Sequence, residues 1–195
     1  VTAAQARIGP LYNVKTLRGA LRLEPSGVTA EIVEGELAGG TLSGEVTLRK
    51  GIDGLGFRAR LGLQNADARS VLAYEGDPIV GRLGLQLDIE GAGLSAKALV
   101  GSLAGNGTLS LERARVSGLD PRVFATVMRA ADRGLPLDAA RLRDAVTPWL
   151  DTGPLEIAHA DGVIAIVGGQ ARMPTMIARA KGAELSASGN LDLIN

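Results

Sequence analysis

Residues 79 to 90 read IVGRLGLQLDIE: Leu83, Leu85, Leu87 and Ile89 fall on one side of an extended chain, and Gly84, Gln86, Asp88 and Glu90 on the other. Successive side chains of a strand point to opposite faces, so this segment reads as a strand with one apolar face and one wet face. A two-faced strand belongs to an antiparallel sheet, because strands of a parallel sheet are covered on both sides and read as unbroken apolar runs.

The same alternation extends upstream. Leu17, Leu21 and Leu23 alternate with Arg18 and Arg22; Val28, Ala30 and Ile32 with Thr29 and Glu31; Leu42, Val46 and Leu48 with Ser43, Glu45 and Thr47; Phe57, Ala59, Leu61 and Leu63 continue it. Pro25-Ser26-Gly27, Gly39-Gly40 and Gly51-Ile52-Asp53-Gly54 separate these runs with residues suited to tight turns. Connections this short favour antiparallel neighbours. Downstream, Leu155 to Ala158 and Val163 to Val167 read as strands joined by a hairpin turn at Asp161-Gly162, followed by Met176 to Ala180 and Glu184 to Leu193.

Helical signals are fewer. Asp67 to Tyr74 and Ser95 to Leu103 read as short helices, the second with Ser95 as its N-cap. From Asp120-Pro121 the period lengthens: Val123, Phe124, Val127 and Met128 form a stripe that Gly134 ends, and Asp138 caps a second stripe of Leu142, Ala145, Val146, Trp149 and Leu150. The expected fold is α+β and mainly β: a curved antiparallel sheet of about ten strands, groove-like or partly wrapped, with short helices and a helical hairpin inserted. Residues 1–195 form a single domain in this reading, with the helical insertion at about 120–150.

Composition narrows the chemistry. With 46% apolar residues the chain can bury a sizeable core, and 21 Lys+Arg against 21 Asp+Glu leaves no long-range field to attract nucleic acid. The balance hides an asymmetry, net −4 over residues 24 to 53 and net +4 over residues 113 to 143. The absence of Cys removes disulfides and thiolate metal sites. The longest apolar run, Val163 to Val167, is far shorter than the roughly 20 residues that span a bilayer as a helix. Opening on Val1 in place of Met, the sequence reads as a fragment of a longer chain.

Reactive constellations are sparse. His159 is the single histidine and has no nucleophile pattern near it, so it reads as a rim residue. One His with scattered carboxylates supplies no metal site. Gly91-Ala92-Gly93-Leu94-Ser95-Ala96, with Glu112 about 20 residues on, matches a dinucleotide fingerprint, but the two-faced strand before it does not suit the parallel sheet that motif requires. Asn106-Gly107-Thr108 fits a glycosylation sequon and, better, a turn.

The run Leu103-x-Gly105-x-Gly107-x-Leu109-x-Leu111, continuing to Val116-x-Gly118-Leu119-Asp120, resembles the C-terminal region of the AsmA-like proteins of Gram-negative bacteria. Gly40-Thr41-Leu42-Ser43-Gly44, Asp77-Pro78-Ile79-Val80-Gly81, Asp161-Gly162-Val163 and Gly189-Asn190-Leu191-Asp192-Leu193 extend the resemblance over most of the chain. The chain departs from the pattern at Ala114, where the family often has a turn glycine, and at Pro121. The resemblance implies a periplasmic module attached to the inner membrane in the full-length protein, similar to the bridge-like lipid-transfer proteins and serving outer-membrane assembly and lipid homeostasis.

The residues fit that role. A sheet with one Leu/Val/Ile face must cover it with helices, another sheet or a ligand. The expected function is non-enzymatic binding or transport of a phospholipid or other acyl-chain lipid, with no cofactor and no nucleic acid. Leu83, Leu85, Leu87, Ile89, Leu109 and Leu111 are the candidate lining; Gly105, Gly107, Gly118, Asp120, Gly162, Gly189 and Asp192 are the motif positions. The alternative is a scaffolding β-module whose edge strands pair with a neighbouring segment or an envelope protein partner. A dinucleotide enzyme resting on Gly91 to Ala96 is the third reading.

Overall fold

The fold was obtained as a computed structural model, which describes residues 2–8, 12–51, 54–72, 79–118, 120, 122, 153–180 and 183–194. Ten strands follow in chain order: β1 (Thr2–Ile8), β2 (Tyr12–Glu24), β3 (Gly27–Leu37), β4 (Gly40–Gly51), β5 (Gly54–Asp67), β6 (Ile79–Gly93), β7 (Ala104–Val116), β8 (Leu155–Val167), β9 (Gln170–Ala180) and β10 (Ala183–Asp192). Two short helices interrupt them, α1 (Ala68–Leu72) and α2 (Ala96–Gly101). Every strand pairs antiparallel with its sequence neighbours in one unclosed sheet ordered β1 to β10. The expected helical hairpin at about 120–150 lies outside the described residues, apart from Asp120 and Arg122.

The alternation noted in the sequence becomes a set of apolar rungs across the sheet. Leu63, Leu85, Leu109, Gly162, Met176 and Ala187 are successive cross-strand partners from β5 to β10. A second rung runs Ala66, Leu83, Leu111, Ala160, Ala178 and Leu185. A third crosses from β2 to β10: Leu21, Ala30, Val46, Ala59, Ile89, Gly105, Ile166, Ala171 and Leu191. Directly opposite side chains in an antiparallel pair sit close enough to pack, so each rung is a continuous apolar row.

One end of the strands is tightly buried. Val14, Leu42, Leu63, Ala66, Leu83, Leu111, Ala114, Leu155, Ile157 and Ala160 belong to one core cluster there. β-bulges mark this end: register shifts occur at Lys15/Arg18 in β2, Ile32/Gly35 in β3, Leu63/Ala66 in β5 and Ile157/His159 in β8. Thr16, Asn65 and Arg113 take positive φ at or beside such shifts, the left-handed residue that many bulges need. Arg113 also settles the question raised by Ala114: the left-handed residue is present one position earlier, and β7 continues to Val116.

Two expected turns prove to be strand. Asp161-Gly162 is no hairpin turn, because β8 runs straight through it. A Cβ on Gly162 would lie 2.9 Å from Met173 Sδ, so this glycine makes room for a methionine of β9. Asn106-Gly107 is likewise mid-strand in β7, where a Cβ on Gly107 would stand 2.4 Å from the Gln86 carbonyl oxygen. The turn between β8 and β9 is Gly168-Gly169, at φ 59° and 74°.

β9 begins at Gln170, earlier than the expected Met176. Pro174 falls where the register shifts against both neighbours, between Gly162/Ala165 on one side and Ala187/Gly189 on the other, so its missing N–H breaks no regular ladder. β1, TAAQARI, was not anticipated: it carries small and polar residues with no apolar alternation, as an edge strand can. Both expected short helices are present: α1 runs up to the last described residue before position 73, and α2 is shorter than expected, with Ser95 as N-cap accepting from the Ala98 N–H at 3.2 Å.

Candidate functional site

The six candidate lining residues lie on the adjacent strands β6 and β7 and share one face, and burial divides them. Leu83 is 1% exposed and Leu111 5%, partners in one rung at the centre of the core cluster. Leu85 and Leu109, also partners, pack against that cluster half-buried. Leu87 and Ile89 are half-buried beyond it, opposite Gly107 and Gly105, so no side chain of β7 stands beside them.

From Ile89 the apolar face opens toward β2 to β5. The row beyond it is Leu23, Val28, Leu48 and Phe57, again successive cross-strand partners. Leu23 is 74% exposed and Leu48 42%, against 1% for Leu83 on the same face. Leu21 and Leu55 are exposed as well. These positions on β2 to β5 were not nominated from the sequence, although their alternation carried the same signal as β6.

Toward β6 to β10 the same end is closed. α2 folds back on the apolar side of β6, where a Cβ on Gly93 would lie 2.4 Å from the Leu99 nitrogen and one on Gly91 3.0 Å from Ser102 Oγ. Ser102 Oγ accepts from the Ala92 N–H at 2.8 Å and donates to the Leu99 carbonyl at 2.9 Å, stapling the helix to the strand. Leu103 and Ile166 are buried at this end, and Ile194 lies against Gly169, whose carbonyl accepts from the Leu193 N–H at 2.9 Å. Among the described residues nothing covers one quadrant of the apolar face, bounded by β2, β5, Ile89 and the strand ends.

The opposite face is a field of paired charges. Arg60 Nε donates to Asp88 Oδ2 at 3.0 Å, Arg58 donates to Glu90, and Arg18, Arg115 and Arg179 stand within ion-pair distance of Glu34, Glu156 and Glu184. Glu90 raises the Arg58 pKa, first by its hydrogen bond and then by its charge. A depression of 620 Å³ on this side is lined by Glu45, Thr47, Arg49, Arg58, Arg60 and Glu90 among others, both signs of charge interspersed. His159 Nε2 meets Asp161 Oδ2 at 2.6 Å on an exposed strand stretch.

The motif positions are architectural. Gly105 has φ 155° and a Cβ there would lie 2.1 Å from the Asp88 carbonyl oxygen; Gly118, at φ 73°, turns the chain out of β7. Asp120 is buried, and its carboxylate accepts from the Arg122 backbone N–H at 2.9 Å, the bond a helix N-cap makes, and from the Arg122 guanidinium. That contact raises the Arg122 pKa, through the hydrogen bond first. Gly189 has open space around it, and Asp192 accepts from the Ile194 N–H at 2.9 Å.

The Gly91 to Ala96 stretch closes an antiparallel strand and enters a six-residue helix, so the parallel βαβ unit of a dinucleotide site is not formed around it. Among the described residues no cluster of three or more His, Cys, Asp or Glu has metal-binding spacing, and no helix is long and apolar enough to cross a membrane. Comparison with known proteins gives no match: no family model, no curated protein and no solved structure is significantly similar to the chain.

Proposed function

We propose that the uncovered quadrant of the apolar face receives the acyl chain of a lipid, and that the chain acts as a non-enzymatic periplasmic module binding or conducting phospholipid for outer-membrane assembly. The observation that carries this reading is the gradient of exposure along one continuous face, from Leu83 at 1% to Leu23 at 74%. An acyl chain entering over Leu48 and Phe57 would meet Val46, Leu61, Leu87 and Ile89 next, with Gly44 and Gly107 leaving shallow ground between them. Burying a methylene contributes about 0.8 kcal/mol, so a dozen acyl carbons would contribute on the order of 10 kcal/mol, similar to what a bilayer offers the same chain. Transfer needs that near equality. The likeness of the glycine–leucine pattern to the AsmA-like proteins supports the same role, and with it a position beside the inner membrane in the full-length protein. The bulges and the wide φ of Gly44 and Gly105 support a curved, groove-like sheet.

Native mass spectrometry of the purified chain, with organic extraction of what it carries, tests the reading. The expected result is a phospholipid or fatty-acid adduct of defined stoichiometry that survives gel filtration. A second reading, a scaffolding module, is favoured by the two open edges left by β1 and β10. It predicts a lipid-free chain that associates with concentration and loses the association when Pro replaces Ser186 on β10.

A further inference from the structure

Three connections lie side by side at the open end of the sheet. The Lys50 N–H donates to the Ser26 carbonyl at 2.7 Å, tying the end of β4 to the β2–β3 turn. A Cβ on Gly54 would lie 3.0 Å from Leu94 Cα, which sets the exit of β6 against the start of β5. These tips carry apolar side chains in water: Leu94 is 85% exposed, Leu23 74% and Leu55 51%. Single exposed leucines are ordinary, but three on neighbouring tips, continuous with Leu48 and Val28, form a patch.

Cations stand at the same strand ends. Arg22 and Arg49 lie on the charged face next in sequence to Leu23 and Leu48, Lys50 precedes the β4–β5 turn, and Lys97 follows Leu94, all of them exposed. Within the described residues none of the four joins an ion pair, whereas the arginines at mid-strand on the polar face, Arg58 and Arg60, are matched to Glu90 and Asp88. Among the described residues of these tips Glu24 is the carboxylate that opposes them. Protruding leucines interleaved with unpaired Lys and Arg are the composition that binds the interface of an anionic bilayer, the leucines entering the acyl boundary and the cations meeting phosphate.

We propose that the strand ends around Leu23, Leu55 and Leu94 dock the module on the surface of an anionic bilayer. The occupant is the lipid surface and not a protein groove, because the apolar side chains stand on separate tips and, among the described residues at this end, four unpaired cations stand against one unpaired carboxylate, Glu24. Docking there sets the uncovered quadrant against the membrane, yet it does not depend on lipid being carried: a chain that docks empty leaves the inference standing and removes the proposed function instead.

The test is co-sedimentation of the whole 195-residue chain with vesicles of phosphatidylglycerol and phosphatidylcholine, beside vesicles of phosphatidylcholine alone. Binding to the anionic vesicles is expected, weakening as salt rises. The double variant Leu23→Ser, Leu94→Ser is expected to bind about tenfold more weakly, and Arg49→Gln with Lys50→Gln roughly tenfold or more weakly on anionic vesicles only. All four side chains are exposed, so unchanged circular dichroism and melting temperature accompany both variants. Equal binding to both vesicle types, binding untouched by either pair of substitutions, or a dimer in light scattering whose contact requires Leu23 and Leu94 would overturn the proposal.

Discussion

Replacing Gly105 by alanine is expected to cost the fold on the order of 3 kcal/mol or more, read as a lowered midpoint in chemical denaturation. Two effects add. Gly105 holds φ at 155°, a conformation side chains rarely adopt, and the new Cβ would lie 2.1 Å from the Asp88 carbonyl oxygen and 2.8 Å from Ile89 Cα. Both obstacles are backbone of the paired strand β6, which cannot step aside without opening the ladder on one of its sides. Domains of this size hold only about 5–15 kcal/mol in total, so a loss of this order removes a large part of it. Gly44 has the same geometry against the Arg60 carbonyl, at φ 144° and 2.1 Å, and belongs to the same class of position. Gly189 is the control: nothing lies within 4 Å of its Cβ position, and Gly189→Ala is expected to change stability by less than about 0.5 kcal/mol. Equal effects at 105 and 189 would mean that close backbone approach is not why Gly105 is glycine.

The second large effect separates the two ends of the apolar face. Leu83→Ala is expected to destabilise by roughly 3–5 kcal/mol, since its side chain is 1% exposed and faces Leu111 and Ala66 in the core cluster. Leu23→Ala, on the same face at the other end, is expected to shift stability by less than about 0.5 kcal/mol. The pair of measurements uses one residue type and one substitution, so the difference reports covering alone. If Leu23→Ala costs as much as Leu83→Ala, the open end is closed in solution and cannot receive a ligand.

The strands themselves could be read before any coordinates, because alternation in β2 to β7 and β10 follows from a sheet wet on one side. What could not be read were the points where glycine acts by packing. Asp161-Gly162 and Asn106-Gly107 carry the dipeptides of a hairpin turn, yet Gly162 accommodates Met173 and Gly107 accommodates the Gln86 carbonyl. Nothing local distinguishes the two uses; the neighbour that demands the glycine is on another strand. The expected count of about ten strands matches because two differences offset each other: the sequence divides β8 at Asp161, and the polar edge strand β1 has no alternation to mark it.

The site was legible in kind and not in extent. Leu83, Leu85, Leu87, Ile89, Leu109 and Leu111 do share one face of two adjacent strands, as their alternation required. Register decides the rest, and register is a long-range property: it pairs Leu87 and Ile89 with glycines, buries Leu83 against Leu111, and brings Leu23, Val28 and Leu48 into one row. Where α2 would fold back was equally invisible, since Ser95 announces the cap but not the face the helix covers. That helix turns one apolar end of the sheet into core and leaves its neighbour uncovered.

The central claim is that acyl chain lies on the uncovered quadrant and nowhere else on the sheet. A phospholipid with a photoreactive group on its acyl chain, bound to the purified chain, irradiated and mapped by peptide mass spectrometry, tests it most directly. The account predicts adducts on Val46, Leu48, Phe57, Leu61, Leu87 or Ile89, displaced by excess unlabelled lipid. Adducts confined to the charged face around Arg58, Arg60 and Glu90, or none above the level of a lipid-free control protein, would contradict it.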